Sequence, residues 1–337
     1  MKPVGAPIMG RRSHVAQKSL GAAVGAVLDR LLGEPPASLH PVVNFGKLMA
    51  RYERTNYHDS KSSGVTHAVI GTLLGISSGG ALQSTTAATS LSVGGKMLTE
   101  VATDVQKALL NNDIENARGL MPTLVGRDPM TLDATEMSRA VVESVAENTV
   151  DAIVAPALWA ALAGAPGAFG YRAINTMDAM VGHRSPRYAN YGWASARLDD
   201  FANWIPARVT ALLVALVRPR RAKAVLWAVL HQAPAHPSPN AGVVEAAFAA
   251  ALGVELGGLN HYGEQPEDRP QLGTGPRVEP MDIARSVRLS NDVTSALISI
   301  LGSIGLVAWF KSRCSPFHRH DRRDQWRPSR RSKNKIL

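Results

Sequence analysis

The sequence predicts an all-α, polytopic integral membrane protein with amphipathic interfacial helices and polar loops that carry the site. Three observations predict it. Val293 to Phe310 is an uncharged stretch of 18 residues. As a helix it is about 27 Å long, close to the hydrocarbon thickness of a bilayer. A second uncharged stretch covers the 20 residues from Ala152 to Tyr171. Directly ahead of it lies a helix-forming segment with carboxylates along one side, which sets ionisable chemistry at the edge of an apolar one.

Hydrophobic residues make up 45% of the 337, and the mean hydropathy is near zero. That excludes a chain packed wall to wall with spans and fits a membrane protein with large polar loops. A single cysteine, Cys314, excludes a disulfide framework or a thiolate metal cluster. The formal net charge is +10, but the ten basic and two acidic residues after Phe310 carry +8 of it, leaving +2 for the first 310 residues. A basic tail behind an apolar span reads as a cytoplasmic anchor on anionic lipid. Neither an aromatic stacking platform nor zinc-finger spacing supports nucleic acid as a partner. The expected organisation is a basic N-terminal segment (1–18), a membrane-embedded domain (19–310) and a basic, disordered cytoplasmic tail (311–337), in a multi-pass protein of the cell membrane.

In chain order, the apolar run Ser19 to Leu28 follows Lys2, Arg11, Arg12 and Lys18 and is interrupted by Asp29 and Arg30. It has no small-residue cleavage site, so a retained first helix is expected. A turn-rich loop from Gly33 feeds a short amphipathic helix ending near Arg54. Ser62 to Gly95 holds only His67 as an ionisable group and provides one span or two. Glu100 to Arg118 reads as an amphipathic helix broken at Asn111-Asn112-Asp113. Neither Gly46-Lys47 nor Gly95-Lys96 belongs to a phosphate-binding glycine loop of the G-x-x-x-x-G-K type.

Asp133 then caps the helix that leads into the second apolar stretch, and Glu136, three positions on, completes a capping-box pattern. At about 100° per residue, Glu143 lies about 20° behind Glu136, Glu147 about 20° ahead and Asp151 about 60° ahead. Four carboxylates therefore share one stripe, with Arg139 to one side. A solvated polar face explains many acidic stripes, but solvated faces mix signs, and Asp151 stands at the lip of the apolar segment. Clustered acids that cannot all ionise cheaply suit a divalent metal or a general base.

Past Ala152 to Tyr171, which Pro156, Pro166 and several glycines predict to be a broken or re-entrant helix, Arg172, Asn175 and Asp178 share a face and Gly182 ends their helix. Arg184, Arg187, Tyr188, Tyr191 and Trp193 follow in a loop. Arg197, Asp200 and Trp204 form one stripe, and Asp199 with Asn203 the next, ahead of an apolar run at Ala207 to Val217. Arg218 to Lys223 is a short basic loop assigned to the cytoplasm. In His236-Pro237-Ser238-Pro239-Asn240, Asn240 is expected to N-cap the helix at Val243 to Leu252 and to prepare an anion site. Gly257 to Gly275 reads as a loop with no chemistry of its own.

The runs RAVVESVAENTVDAIVAP, YRAINTMDAMVGHR, GWASARLDD, IPARVTALL, HPSPNAG and EDRPQLG, in this order, resemble the membrane-bound cobalamin-biosynthesis proteins CobD or CbiB, the adenosylcobinamide-phosphate synthases. The resemblance covers roughly Val27 to Leu301. Val243-Val244 stand where the family commonly has Trp-Pro, and the basic tail is atypical. The resemblance implies amide ligation of the corrinoid adenosylcobyric acid with (R)-1-aminopropan-2-ol or its O-phosphate, driven by ATP and Mg²⁺.

On charge type and helical phase, Glu143, Glu147 and Asp151 are the expected general bases and Mg²⁺ ligands, and Asp178, Asp199 and Asp200 form a second acidic group. Arg127, Arg172 and Arg197 are expected anion contacts, His236, Ser238 and Asn240 phosphate contacts, and Asp128, Asn175 and Asn203 further substrate contacts. The partners expected are the corrinoid, the amine, membrane lipid, and a second copy or a pathway complex. A transporter or a non-catalytic scaffold for corrinoid intermediates is the competing reading.

Overall fold

A computed structural model describes residues 11–125, 129–183, 185–262 and 265–313. Arg127, Asp128, Arg184, Cys314 and the basic tail lie outside the described residues. In order, the helices are α1 (Arg11–Leu32), α2 (Pro41–Asn56), α3 (Lys61–Leu82), α4 (Thr85–Ser92), α5 (Gly95–Leu110), α6 (Ile114–Leu120), α7 (Ala134–Asn148), α8 (Ala155–Ala163), α9 (Ala165–Met177), α10 (Trp193–Val217), α11 (Ala222–His231) and α12 (Ala241–Leu252). A hairpin of β1 (Leu256–Tyr262) and β2 (Gln265–Leu272) precedes α13 (Pro280–Arg313). The protein is an all-α polytopic membrane protein carrying one small hairpin.

Among the described residues, four helical segments are long and apolar enough to cross a membrane: Lys61–Leu82, Ala134–Ala163, Trp193–Val217 and Pro280–Ser312. The Ser62 to Gly95 region thus provides one such helix. It ends at Gln83, whose positive φ of 56° turns the chain before the eight-residue α4.

Small residues let these helices approach closely. Gly71, Gly75 and Gly79 are buried on α3 at four-residue spacing. A Cβ on Gly75 would run into the backbone carbonyl of Phe169, and one on Gly79 into that of Ala165. Without a hydrophobic drive between helices in lipid, such close backbone contact is a main source of association. The opposite face of α3 exposes Val65, Val69, Leu73 and Ile76, and α10 exposes Phe201, Ile205, Leu212 and Leu216, as lipid-facing surfaces require.

Two interruptions shape the centre of the molecule. The predicted break in the Ala152 to Tyr171 stretch falls at Gly164, with φ of 74°, between α8 and α9. The segment Thr149–Val154 between α7 and α8 is wound as a π-helix, and a second π-turn, Asp178–Gly182, follows α9.

One expectation is corrected. Gly257 to Gly275 is largely an antiparallel hairpin, with Leu256 opposite Leu272 and a bulge between Leu256 and Gly258. Pro266 and Pro270 within β2 and the Gly257-Gly258 pair at φ of 86° and 87° break every strand signal in that stretch.

Candidate active site

The helix α7 begins with the predicted capping box, in which Asp133 Oδ1 accepts from the Glu136 backbone N–H at 2.8 Å and Glu136 Oε2 accepts from that of Asp133 at 3.0 Å. Glu136 is therefore used structurally. Two turns on, Glu143 is 1% exposed, and its Oε1 accepts from the Gly257 backbone N–H at 2.9 Å, while the Arg139 guanidinium donates to the Gly257 carbonyl. One residue of the hairpin is thus held by α7 through both its N–H and its carbonyl. This contact requires Gly257, because a Cβ there would collide with the Pro270 carbonyl.

The expected four-carboxylate stripe divides at this point. A π-turn winds more residues per turn than an α-helix, so phase counted at 100° per residue is lost beyond Asn148. Glu143 and Glu147 stay on the hairpin side. Asp151 is turned toward α9 and α10, where Tyr171 Oη donates to its backbone carbonyl at 3.3 Å.

There the second predicted constellation closes into a network. Tyr171 Oη also donates to Asn203 Oδ1 at 2.8 Å, and Asn203 Nδ2 donates to Asp199 Oδ2 at 2.9 Å. Asn175 Nδ2 donates to Asp199 Oδ1 at 3.4 Å and accepts, through Oδ1, from Arg172 at 3.0 Å. Asp151, Arg172, Asn175, Asp199 and Asn203 are therefore brought together as neighbours. Asp178 stands beside them in its π-turn. Burial first, then the charges of Asp199 and Asp200, push its carboxyl up to about 7.

Asp200 and Arg197 form an ion pair at 3.8 Å, with Arg197 largely exposed at the rim. The Asp200 backbone carbonyl accepts from Asn240 Nδ2 at 2.8 Å, and Asn240 Oδ1 accepts from Arg208 at 3.0 Å. This corrects the expected N-cap. Asn240 occupies the capping position of α12, but its side chain is committed to α10 and makes no cap bond. Ser238 Oγ accepts from the Asn240 and Ala241 backbone N–H groups at 3.3 and 3.1 Å instead.

The hairpin side holds residues that sequence reasoning passed over. Glu245 is fully buried on α12, with Arg269 Nη1 3.7 Å and His236 Nε2 3.8 Å from its Oε1. The same guanidinium lies 3.9 Å from Glu147 Oε1. Burial first, then the charges of Glu147 and Glu143, raise the Glu245 carboxyl well above the ordinary range, with Arg269 opposing. Burial lowers His236 and favours its neutral imidazole. Glu245 had a readable signal, as the single charge in AGVVEAAFAAAL. Arg269, Arg208 and Tyr171 had a signal only as members of the runs EDRPQLG, IPARVTALL and YRAINTMDAMVGHR that carry the resemblance, and none from charge or phase.

Among the described residues, no three His, Cys, Asp or Glu side chains are grouped so as to hold a metal ion. The π-turn divides Glu143 and Glu147 from Asp151 along the rod.

A family model described as CobD/Cbib protein matches residues 22–290. The chain belongs to the CobD/Cbib family. It is 44% identical over 291 residues to the cobalamin biosynthesis protein CobD of Mycobacterium tuberculosis, covering 82% of this chain and 92% of that protein. It is 41% identical over 285 residues to the protein of that name from Chromobacterium violaceum, covering 80% and 90%. The Rhodobacter capsulatus protein of that name is 39% identical over 299 residues, covering 83% and 95%. No solved structure matches. The CobD/Cbib match spans both halves of the site, from α7 through the hairpin.

Proposed function

We propose that this member of the CobD/Cbib family acts in cobalamin biosynthesis as an amide ligase, joining adenosylcobyric acid to (R)-1-aminopropan-2-ol or its O-phosphate at the expense of ATP. The observation that carries the reading is the seam of carboxylates, amides and guanidinium groups between α7, α9, α10, α12 and the hairpin, within a family whose relatives are named for that pathway. Amide formation from a carboxylate needs activation, and transfer of the γ-phosphoryl group gives an acyl phosphate. Its developing charge calls for guanidinium donors, and Arg172, Arg197 and Arg208 stand along the seam to supply them. The attacking nitrogen must arrive without its extra proton, which calls for a buried carboxylate.

Magnesium enters this scheme with ATP as part of the substrate. Within the network, Asn175 and Asn203 fix both oxygens of Asp199, which holds that carboxylate in one orientation. Such fixed groups need little reorganisation during reaction.

The test uses the full chain purified in detergent with adenosylcobyric acid, MgATP and either amine, with the amide product read by mass. Amide formation that depends on ATP supports the proposal. Absence of product with both amines, under conditions where a control ligase works, refutes it. Flux of corrinoid into proteoliposomes without ATP or amine would favour a transporter instead.

A further inference from the structure

We propose that Glu245 is a catalytic residue that receives the ammonium group of the incoming primary amine and takes its proton, an inference that rests on the ligase reading above. Three features of the structure converge on it. Glu245 is 0% exposed, no donor among the described residues bonds either of its oxygens, and the group within hydrogen-bonding reach is another carboxyl, that of Glu147. The His236 Nε2 that faces it is likewise buried without a hydrogen-bond partner. The basic nitrogens that face it, Arg269 Nη1 and His236 Nε2, stand 3.7 and 3.8 Å from Glu245 Oε1, too far for a direct hydrogen bond.

A buried carboxylate in this state lacks the donors that normally compensate its desolvation. A small cationic donor beside Oε1 would provide them. The sign of the surroundings fits a cation, since Glu143, Glu147 and Glu245 adjoin one another here. Arg269 is shared between Glu147 and Glu245. Glu147 is the partly exposed carboxylate of the three, with 38% of its side chain accessible, so it marks the side from which an amine arrives. Burial and the neighbouring carboxylates also make Glu245 a stronger base than an ordinary glutamate.

One N–H proton of the ammonium passes to Glu245, and the freed lone pair attacks the acyl phosphate carbon. The C–N bond forms and the C–O bond to phosphate breaks, with that electron pair leaving on phosphate. The second nitrogen proton is lost as the tetrahedral intermediate collapses and leaves with the phosphate. Glu245 returns its proton to solvent past Glu147.

The experiment compares Glu245→Gln with wild type at neutral pH, using adenosylcobyric acid and MgATP with either 1-aminopropan-2-ol or hydroxylamine, which is already unprotonated at that pH. With aminopropanol the variant is expected to be at least ~100-fold slower, the lower range of general-base contributions. With hydroxylamine it is expected to form the hydroxamate at close to the wild-type rate, which also demonstrates that it is folded. An undiminished rate with aminopropanol, or an equal loss with both nucleophiles, overturns the role of Glu245 while leaving the ligase reading intact. A wild-type protein that forms neither amide nor hydroxamate overturns the ligase reading and this inference with it.

Discussion

Replacing Asn203 by leucine tests whether the network between α9 and α10 is a structural unit. Asn203 is 2% exposed, accepts from Tyr171 Oη at 2.8 Å and donates to Asp199 at 2.9 Å. Leucine keeps much of the volume and removes both bonds. The Tyr171 hydroxyl, itself in a residue 2% exposed, keeps only its longer 3.3 Å bond to the Asp151 carbonyl, which costs about 1 kcal/mol, and loss of the donor to Asp199 costs about 1 kcal/mol more. Hydrogen bonds between helices in a bilayer average nearer ~0.6 kcal/mol, so the sum stays at about 2 kcal/mol. That corresponds to a fall of about 4 °C in the unfolding midpoint. Tyr171→Phe alone should cost about half as much, since the Asn203 carbonyl oxygen is left with one bond fewer. In the double variant both partners of the Tyr171–Asn203 bond are gone together, so the combined loss should fall short of the sum of the singles by about 1 kcal/mol. Thermal unfolding in detergent, followed by tryptophan fluorescence, measures all three. Strict additivity, or an Asn203→Leu protein as stable as wild type, would refute the network as described.

Asp178 supplies a pH test. Its carboxyl is raised from the ordinary 3.8 to about 7, so the folded state holds a proton the unfolded state releases. Its favourable contribution is complete below about pH 4 and is lost as pH rises through about 7. Wild type should lose midpoint relative to Asp178→Asn between pH 5 and 8, and parallel curves for the two proteins would contradict this. Glu143→Ala should loosen the hairpin on α7, leaving Arg139 as its hold on Gly257, with a cost of about 1 to 3 kcal/mol for the orphaned Gly257 N–H and faster amide exchange confined to β1 and β2. Gly79→Leu should force α3 off α9, because the first added carbon already meets the Ala165 carbonyl, and the variant should fail to give a monodisperse peak on size exclusion. Gly80→Leu, one residue on and facing open space, should behave as wild type.

Much of the fold was legible because its signals are local. The capping box at Asp133, the break at Asn111-Asn112-Asp113 and the helix end at Gly182 each rest on residues within a few positions. Periodicity failed where the chain stops being periodic. The four-acid stripe assumed a constant 100° per residue through Asp151, and the π-turn broke that assumption. The hairpin was invisible because prolines and left-handed glycines, rather than alternating side chains, define it. Asn240 sat at the capping position its residue type favours, yet long-range partners, Arg208 and Asp200, won its side chain. Asp199, Asn203, Asn175 and Arg172 were found because two helix faces each carried half of the constellation. Glu245 was overlooked because an isolated acid forms no pattern, although its isolation in an apolar helix was itself the signal.

The π-turn at Thr149–Val154 has one more consequence, for insertions and deletions. Two stretches of regular helix share a single rod there, but one faces the hairpin and the other α10, and the wide turn sets the angle between them. Removing one residue from it would let the rod close into uninterrupted α-helix, at the cost of swinging everything beyond by roughly a quarter turn or more. Trp159, whose indole donates to the Ala202 carbonyl at 3.1 Å, would lose its partner, and the Asp151 carbonyl would turn back into the ladder. The chain should therefore tolerate no change in the length of this rod.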